Sequence, residues 1–387
     1  MQRPAASIAL ALLLLLPGLG ATSAAPSDRL ERAALEALSG GAEPVRGRAE
    51  AWLVWAEGAQ PLDATDPRLG ARYGAACRVY VAESGLFVRR FTVWAPDAAH
   101  LPFARKAGRW LALLWGAAHA RFGMSASRLR GAPLDVWLTR SGEAGGEQWR
   151  SSIYVYDVMA ERTGIEWART LSHEYGHYLL PSPSGYAEPE SWANGLLGER
   201  LFLSWMADDL RSGAVSAEEA PYVTLHDLDE YRARQVTPLL DRALASGPDE
   251  AALGGTAMSA MDAFTALELY VDAVYGPEAI MDALMYLPAG AADRGLRGPA
   301  FAAAFAAWAR ARPRFVTRLP AGDAVVFLPR GSWKVVSEAP GRRALRVEGA
   351  QVRAAGGGWR VVAGETRWRR VRAPGAPGPC TLRWERQ

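Results

Sequence analysis

Five consecutive residues, His173-Glu174-Tyr175-Gly176-His177, have the types and spacing that metal chemistry needs. Residues four apart on a helix share a face, so both imidazoles can reach one ion. The glutamate beside the first histidine can reach a water on that ion and take its proton. Zn²⁺ suits such ligands and lowers the pKa of a bound water to about 7, which makes hydroxide available at neutral pH. His173 and His177 are therefore candidate metal ligands and Glu174 a candidate general base. The chain has only 5 histidines in 387 residues, so this pairing carries weight beyond composition. Thr170, Leu171, Tyr178 and Leu179 around it are uncharged, as in a helix buried at the motif.

A catalytic zinc site usually has three protein ligands and a water. Pro183 stands where one class of such sites has a third histidine, and no histidine follows until His226. A carboxylate is the natural third ligand, and Glu188, Glu190 and Glu199 are available. On a helix starting at Trp192, Glu199 falls within the apolar stripe of Trp192, Leu196, Leu203 and Met206. A carboxylate there needs a cation. Glu190 falls on the opposite side, and Glu188 precedes Pro189 in a loop. Glu199 is the favoured ligand. An ion pair between Glu199 and a buried arginine, or ligation by Glu188 or Glu190, remain alternatives.

The motif helix spans Thr163 to Leu180, opened by a Thr163–Glu166 capping box and stopped by Pro181. Before it, Ser27–Leu38 reads as a helix and Ala51–Ala56 as a strand. Cys77–Ala82 and Leu86–Trp94 form a hairpin turning at Glu83-Ser84-Gly85. Leu101–Phe122 is a helix, and Pro133–Leu138 and Ser152–Val158 are strands. After the motif come helices at Trp192–Asp209, Leu228–Ala245 (broken at Pro238), Met258–Tyr275, Pro277–Leu287 and Pro299–Arg312. From Leu319 the pattern changes to short strand-like runs at 324–328, 333–336, 344–347, 359–362, 367–371 and 381–384.

Composition narrows the field. With 50% hydrophobic residues the chain can bury large cores, and two cysteines exclude a disulfide-dense scaffold. Cys77 and Cys380 are the one possible bridge, with two separate thiols the equal alternative. Lys106 and Lys334 are the only lysines, an arginine bias typical of GC-rich coding, so the basic balance gives no support for a nucleic-acid partner. Met1–Ala25 has a positive start, an apolar run and small residues for cleavage, the parts of a secretory signal. No later run is long enough to span a membrane. The expected location is secreted or periplasmic. Residues 319–387 hold 12 arginines and one lysine against five acidic residues, a net +8. This suggests a basic β-module for an anionic cell-envelope polymer, or arginines on the solvent face of a small sandwich.

The motif, followed by a glutamate on the next helix, resembles the gluzincin metallopeptidases (the thermolysin- and aminopeptidase-like group). It is most similar to bacterial peptidase MA-like members, over about residues 77–312. Tyr270–Met281 and Ala300–Phe305 are similar to their helical half. Such families commonly read Trp-Leu-x-Glu-Gly at the third ligand, whereas this chain reads Trp192-Ala193-Asn194-Gly195. The resemblance implies an exported zinc peptidase with an α+β fold. A small sheet and motif helix would form one lobe and a helical bundle the other, with a β-rich domain after them. The expected divisions are 1–25 signal, 26–76 N-terminal segment, 77–318 catalytic domain and 319–387 basic β-domain. It also implies peptide or protein substrates, with Ser152–Val158 as the edge strand that an extended peptide pairs with. His226, Tyr222, Tyr231, Tyr270 and Tyr275 are candidate oxyanion donors. Two other functions fit the residues: a non-catalytic envelope-binding protein with a degenerate site, and a zinc hydrolase of non-peptide amides.

Overall fold

The computed structural model describes residues 41–55, 64–83, 86–123, 133–187, 190–288, 297–338, 344–373 and 378–387. The signal-like segment, the helix expected at 27–38, the Ser84-Gly85 turn and Glu188 lie outside them. The fold is mixed α+β, and contacts divide it into two units.

The first unit comprises residues up to Gly116, Gly131–Leu171 and Asp209–Val223. Its strands are β1 (Gly41–Arg46), β2 (Glu50–Trp55), β3 (Ala64–Thr65), β4 (Arg72–Tyr73), β5 (Ala75–Glu83), β6 (Leu86–Ala95), β7 (Leu134–Leu138), β8 (Gly145–Trp149) and β9 (Ser152–Tyr156). Seven form one sheet in the order β1-β2-β5-β6-β7-β9-β8. Pairing is antiparallel except at β6–β7 and β7–β9. β1 and β2 precede the expected start of the catalytic domain, yet β2 pairs with β5 in this sheet, with Ala51 opposite Val81. The expected edge strand is not an edge, because β8 covers β9. Helix α1 (Leu101–Phe122) lies on this sheet: a Cβ at Gly108 would stand 3.2 Å from Val79 and 3.3 Å from Leu53. Trp110, Leu111, Leu114 and Trp115 of α1 are buried. Burial of several such side chains, at roughly 1.5–3 kcal/mol each, is what fixes the helix.

Helix α2 (Gly164–Leu179) is the motif helix. Half of its expected capping box is present: the Thr163 N–H donates to Glu166 Oε2 at 2.7 Å, and the Thr163 hydroxyl donates to the same oxygen at 2.8 Å. It is followed by α3 (Ala193–Ser212), α4 (Leu225–Gln235), α5 (Thr237–Ser246), α6 (Met258–Tyr275), α7 (Glu278–Leu284) and α8 (Gly298–Ala311). The α4–α5 break falls just before Pro238, as expected from proline's missing N–H.

The second unit comprises Ala117–Arg130, Ser172–Asp208 and Thr224–Gln387. Its strands are β10 (Arg314–Leu319), β11 (Asp323–Leu328), β12 (Gly331–Ser337), β13 (Arg346–Val347), β14 (Gln351–Ala355), β15 (Gly358–Ala363), β16 (Arg367–Arg372) and β17 (Cys380–Arg386). They make a five-stranded sheet, β10-β17-β12-β15-β14, and a three-stranded one, β11-β16-β13. These strands bond to the helices of the same unit. The hydroxyls of Tyr270 and Tyr275 on α6 donate to the carbonyls of Val325 and Phe327 at 2.6 and 3.0 Å. Both cysteines are buried free thiols, so the possible Cys77–Cys380 bridge is not made. Among the described residues no helix is long and apolar enough to cross a membrane.

Candidate metal centre

The centre lies within the second unit, where α2 and α3 touch backbone to backbone. A Cβ at Gly198 would collide with the Cα of Gly176, and one at Gly176 would stand 2.5 Å from the Asn194 carbonyl oxygen. Only glycine on both helices permits this approach. It brings Asn194 and Glu199 of α3 against the imidazoles of α2. Gly195 sits opposite both rings, where a Cβ would collide with Nε2 of each histidine.

Nε2 of His173 and Nε2 of His177 are 3.1 Å apart. Oε2 of Glu190 stands 3.1 Å from the first and 3.6 Å from the second. Ligand atoms of a tetrahedral zinc, at about 2.0–2.2 Å from the ion, are about 3.3–3.6 Å from each other. The three donors thus already have nearly the spacing of one face of such a site. Among the described residues, His173, His177 and Glu190 form the one group of three or more His, Cys, Asp or Glu side chains able to hold an ion.

The far sides of the rings are also held. Nδ1 of His177 is 2.8 Å from Oδ1 of Asn194, whose Nδ2 donates to the His177 carbonyl at 3.0 Å and to Ser182 Oγ at 3.1 Å. Nδ1 of His173 is 3.6 Å from Oε2 of Glu199. Oε1 of Glu199 accepts from the Tyr231 hydroxyl at 2.8 Å. The Asn194 bond at Nδ1 of His177, and the Glu199 carboxylate behind Nδ1 of His173, favour a proton on Nδ1 of each ring and leave the Nε2 lone pairs facing Glu190. Three acceptors aimed at one point need a cation between them.

In the metal-free chain a proton serves. Burial lowers the pKa of His173, but the carboxylates of Glu190, Glu199 and Glu174 outweigh it and hold the imidazole up at about 10. Burial likewise raises Glu190, but bonds to His173, His177 and the Trp192 N–H overcome it and hold the carboxyl well below the usual range.

The sequence expectation chose Glu199 as third ligand, and the geometry differs. Glu199 is buried as expected, at 6% exposure. Its partners are the back of His173 and Tyr231 rather than the side where the two Nε2 atoms meet. Glu190 occupies that side instead. The helical wheel misjudged Glu190 because α3 begins at Ala193, so Glu190 belongs to the preceding loop. Main-chain bonds from Gly185 N to Ser191 O and from Ala193 N to Pro183 O fold that loop back. Oε1 of Glu190 then accepts from the Trp192 N–H at 2.8 Å, which leaves Oε2 for the histidines.

Glu174 is buried beside His173 on α2, at 4% exposure. Of the oxyanion candidates, Tyr231 reaches the centre through Glu199. Tyr270 and Tyr275 spend their hydroxyls on backbone carbonyls, and His226 is exposed on α4. Asn194, the departure from the gluzincin pattern, holds His177 in place. The chain matches no family model and no curated protein.

Proposed function

We propose that the chain is an exported zinc-dependent metallopeptidase of the gluzincin kind, with His173, His177 and Glu190 as the metal ligands. The observation that carries this reading is the convergence of Nε2, Nε2 and Oε2 at 3.1–3.6 Å, with the buried Glu174 next to His173 in sequence and its charge acting on that ring. A zinc ion held by these three residues would supply Lewis acidity, for polarising a carbonyl and for making water a nucleophile at neutral pH.

The remaining roles belong to the chain's own groups. Glu174 accepts a proton from the attacking water and returns it to the leaving amine. Asn194 and Glu199 hold the two imidazoles in the orientation that faces Nε2 inward. Tyr231 donates to Glu199 and so keeps its carboxylate fixed behind His173. The export half of the proposal rests on the signal-like first 25 residues. The test is digestion of a mixed peptide library by the purified mature chain. Zinc-loaded parent should cleave peptides, a chelator should stop it, and Glu174→Gln should keep zinc but lose cleavage. Unchanged turnover in Glu174→Gln would exclude it as the base. A zinc-loaded parent that cleaves non-peptide amides and no peptide would replace peptidase by the wider hydrolase class.

A further inference from the structure

Three of the twelve arginines of residues 319–387 line one cavity of about 320 Å³, within the second unit. Arg367, Trp368, Arg369 and Arg370 of β16 line it, together with Ser246 at the end of α5 and Glu348 in the β13–β14 turn. β13 is only two residues long and pairs with Val371 and Arg372, so the earlier part of β16 runs on beyond it.

Arg369 is the unusual member. It is 3% exposed, and among the described residues no carboxylate pairs with it. Its Nη1 donates to the carbonyls of Glu348 and Gly349 at 2.9 and 2.7 Å, and Nη2 to that of Glu365 at 3.1 Å. Its buried Nε has no hydrogen-bond partner. A second guanidinium reaches the same turn. A Cβ at Gly349 would stand 2.5 Å from Arg367 Nη2 and 2.7 Å from Arg369 Nη1. Arg367 itself is 55% exposed and has only a loose contact with Glu365, at 3.7 Å. Arg370 contacts Asp323 at 3.4 Å, a carboxylate it shares with Arg372, and donates to the Ala245 carbonyl. Burial, and next Arg367, push the Arg369 guanidinium below its ordinary range; Glu365 and Glu348 oppose this weakly.

Arg367 and Arg369 share one face of β16, and the buried one has no carboxylate partner and an unsatisfied Nε, an arrangement that favours a negative group. We propose that this cavity is an oxyanion site that takes a phosphate group, held by Arg367 and Arg369. Guanidinium forks match phosphate oxygens in pairs, and such charge-assisted bonds are the strong ones. The cavity has room for a phosphate carrying a substituent, so the group can come free or as part of a polyanionic chain. Glu348 lines the same cavity and works against an anion there. The carbonyl bonds of Arg369 also brace the turn, so substitutions at Arg367 and Glu348 are the cleaner probes.

The experiment is calorimetric titration of the full mature chain with inorganic phosphate and, separately, with a glycerol-phosphate oligomer, against chloride at matched ionic strength. The parent should bind phosphate and not chloride. Arg367→Ala should weaken binding roughly tenfold or more, as expected for one charge-assisted contact, with melting temperature and zinc content unchanged. Glu348→Gln should tighten it. Arg383→Ala, on β17 outside the cavity and paired with Glu338, should leave it unchanged. An oligomer that binds more tightly than inorganic phosphate identifies polymer-borne phosphate as the ligand, and equal affinity identifies the free anion. Phosphate binding that survives Arg367→Ala and ignores Glu348→Gln, or a parent that does not distinguish phosphate from chloride, would overturn the proposal.

Discussion

Oε2 of Glu199 lies 3.6 Å from Nδ1 of His173, on the opposite side of the ring from the Nε2 that faces Glu190. The two glutamates therefore have different work, although both contact the same imidazole. In the proposed centre Glu190 completes the donor set, and Glu199 orients and polarises the ring. Groups of the second kind typically change metal affinity by about 10–100-fold. Glu199→Gln should lower zinc affinity by an amount in that range while zinc still binds one-to-one. Competition with a coloured chelator measures it, and a complete loss of binding would make Glu199 a ligand after all.

Asn194 ties His177 to the end of the motif helix through bonds at both ends of its amide. Asn194→Ala should cost about 1–3 kcal/mol of stability, because buried groups lose their partners. It should also weaken zinc binding. Asn194→Asp keeps the acceptor at Nδ1, so it should retain more of the zinc affinity than alanine does. Equal affinity in the two variants would remove the positioning role.

In the proposed centre, proton and metal compete at His173. Its folded pKa of about 10 stands above the ordinary 6.5, so ionised His173 stabilises the metal-free chain fully below about pH 6.5. That stabilisation is lost as pH rises towards 10. Zinc affinity should rise over the same window, since the bound proton must leave. Melting curves of chelated and zinc-loaded chain from pH 6 to 10 check both directions. A zinc-dependent stabilisation that shrinks with rising pH would contradict the assignment.

Glu268 on α6 is fully buried, and neither carboxylate oxygen has a hydrogen-bond partner. Burial, with Asp272 one turn on, raises its pKa well above the usual value. Its folded pKa exceeds the unfolded one, so the group opposes folding increasingly as pH rises above the ordinary carboxylate range. Glu268→Met should therefore stabilise the protein, by roughly 1–3 kcal/mol at pH 8 and less at pH 5. Equal effects at both pH values would show that the carboxyl is not titrating.

What could be read from the sequence follows from which interactions are local. Helix α2, its Thr163–Glu166 cap and the shared face of His173 and His177 are set within a few turns of chain. The break before Pro238 and the β5–β6 hairpin are equally local. Strands β1, β8 and β14 gave weaker signals. β1 carries Pro44, which an edge strand tolerates. β8 reads Gly-Gly-Glu-Gln-Trp, without β-branched residues, and β14 is mostly exposed. Glu190 was the harder case, because a loop places it and a wheel describes only helices. The wheel placed Glu199 in a buried stripe but could not say which side of His173 it meets. Helix α3 is buried on most sides, so lying in an apolar stripe does not say which neighbour a side chain meets.

The most direct test of the metal centre is zinc stoichiometry by elemental analysis, with competition titration, on the parent, His177→Ala, Glu190→Ala and Glu199→Ala. The parent should hold about one zinc per chain. His177→Ala and Glu190→Ala should lose most of it, and Glu199→Ala should keep one weakened site. Full zinc content in Glu190→Ala beside an empty Glu199→Ala would contradict the three-residue centre, and full content in His177→Ala would remove it altogether.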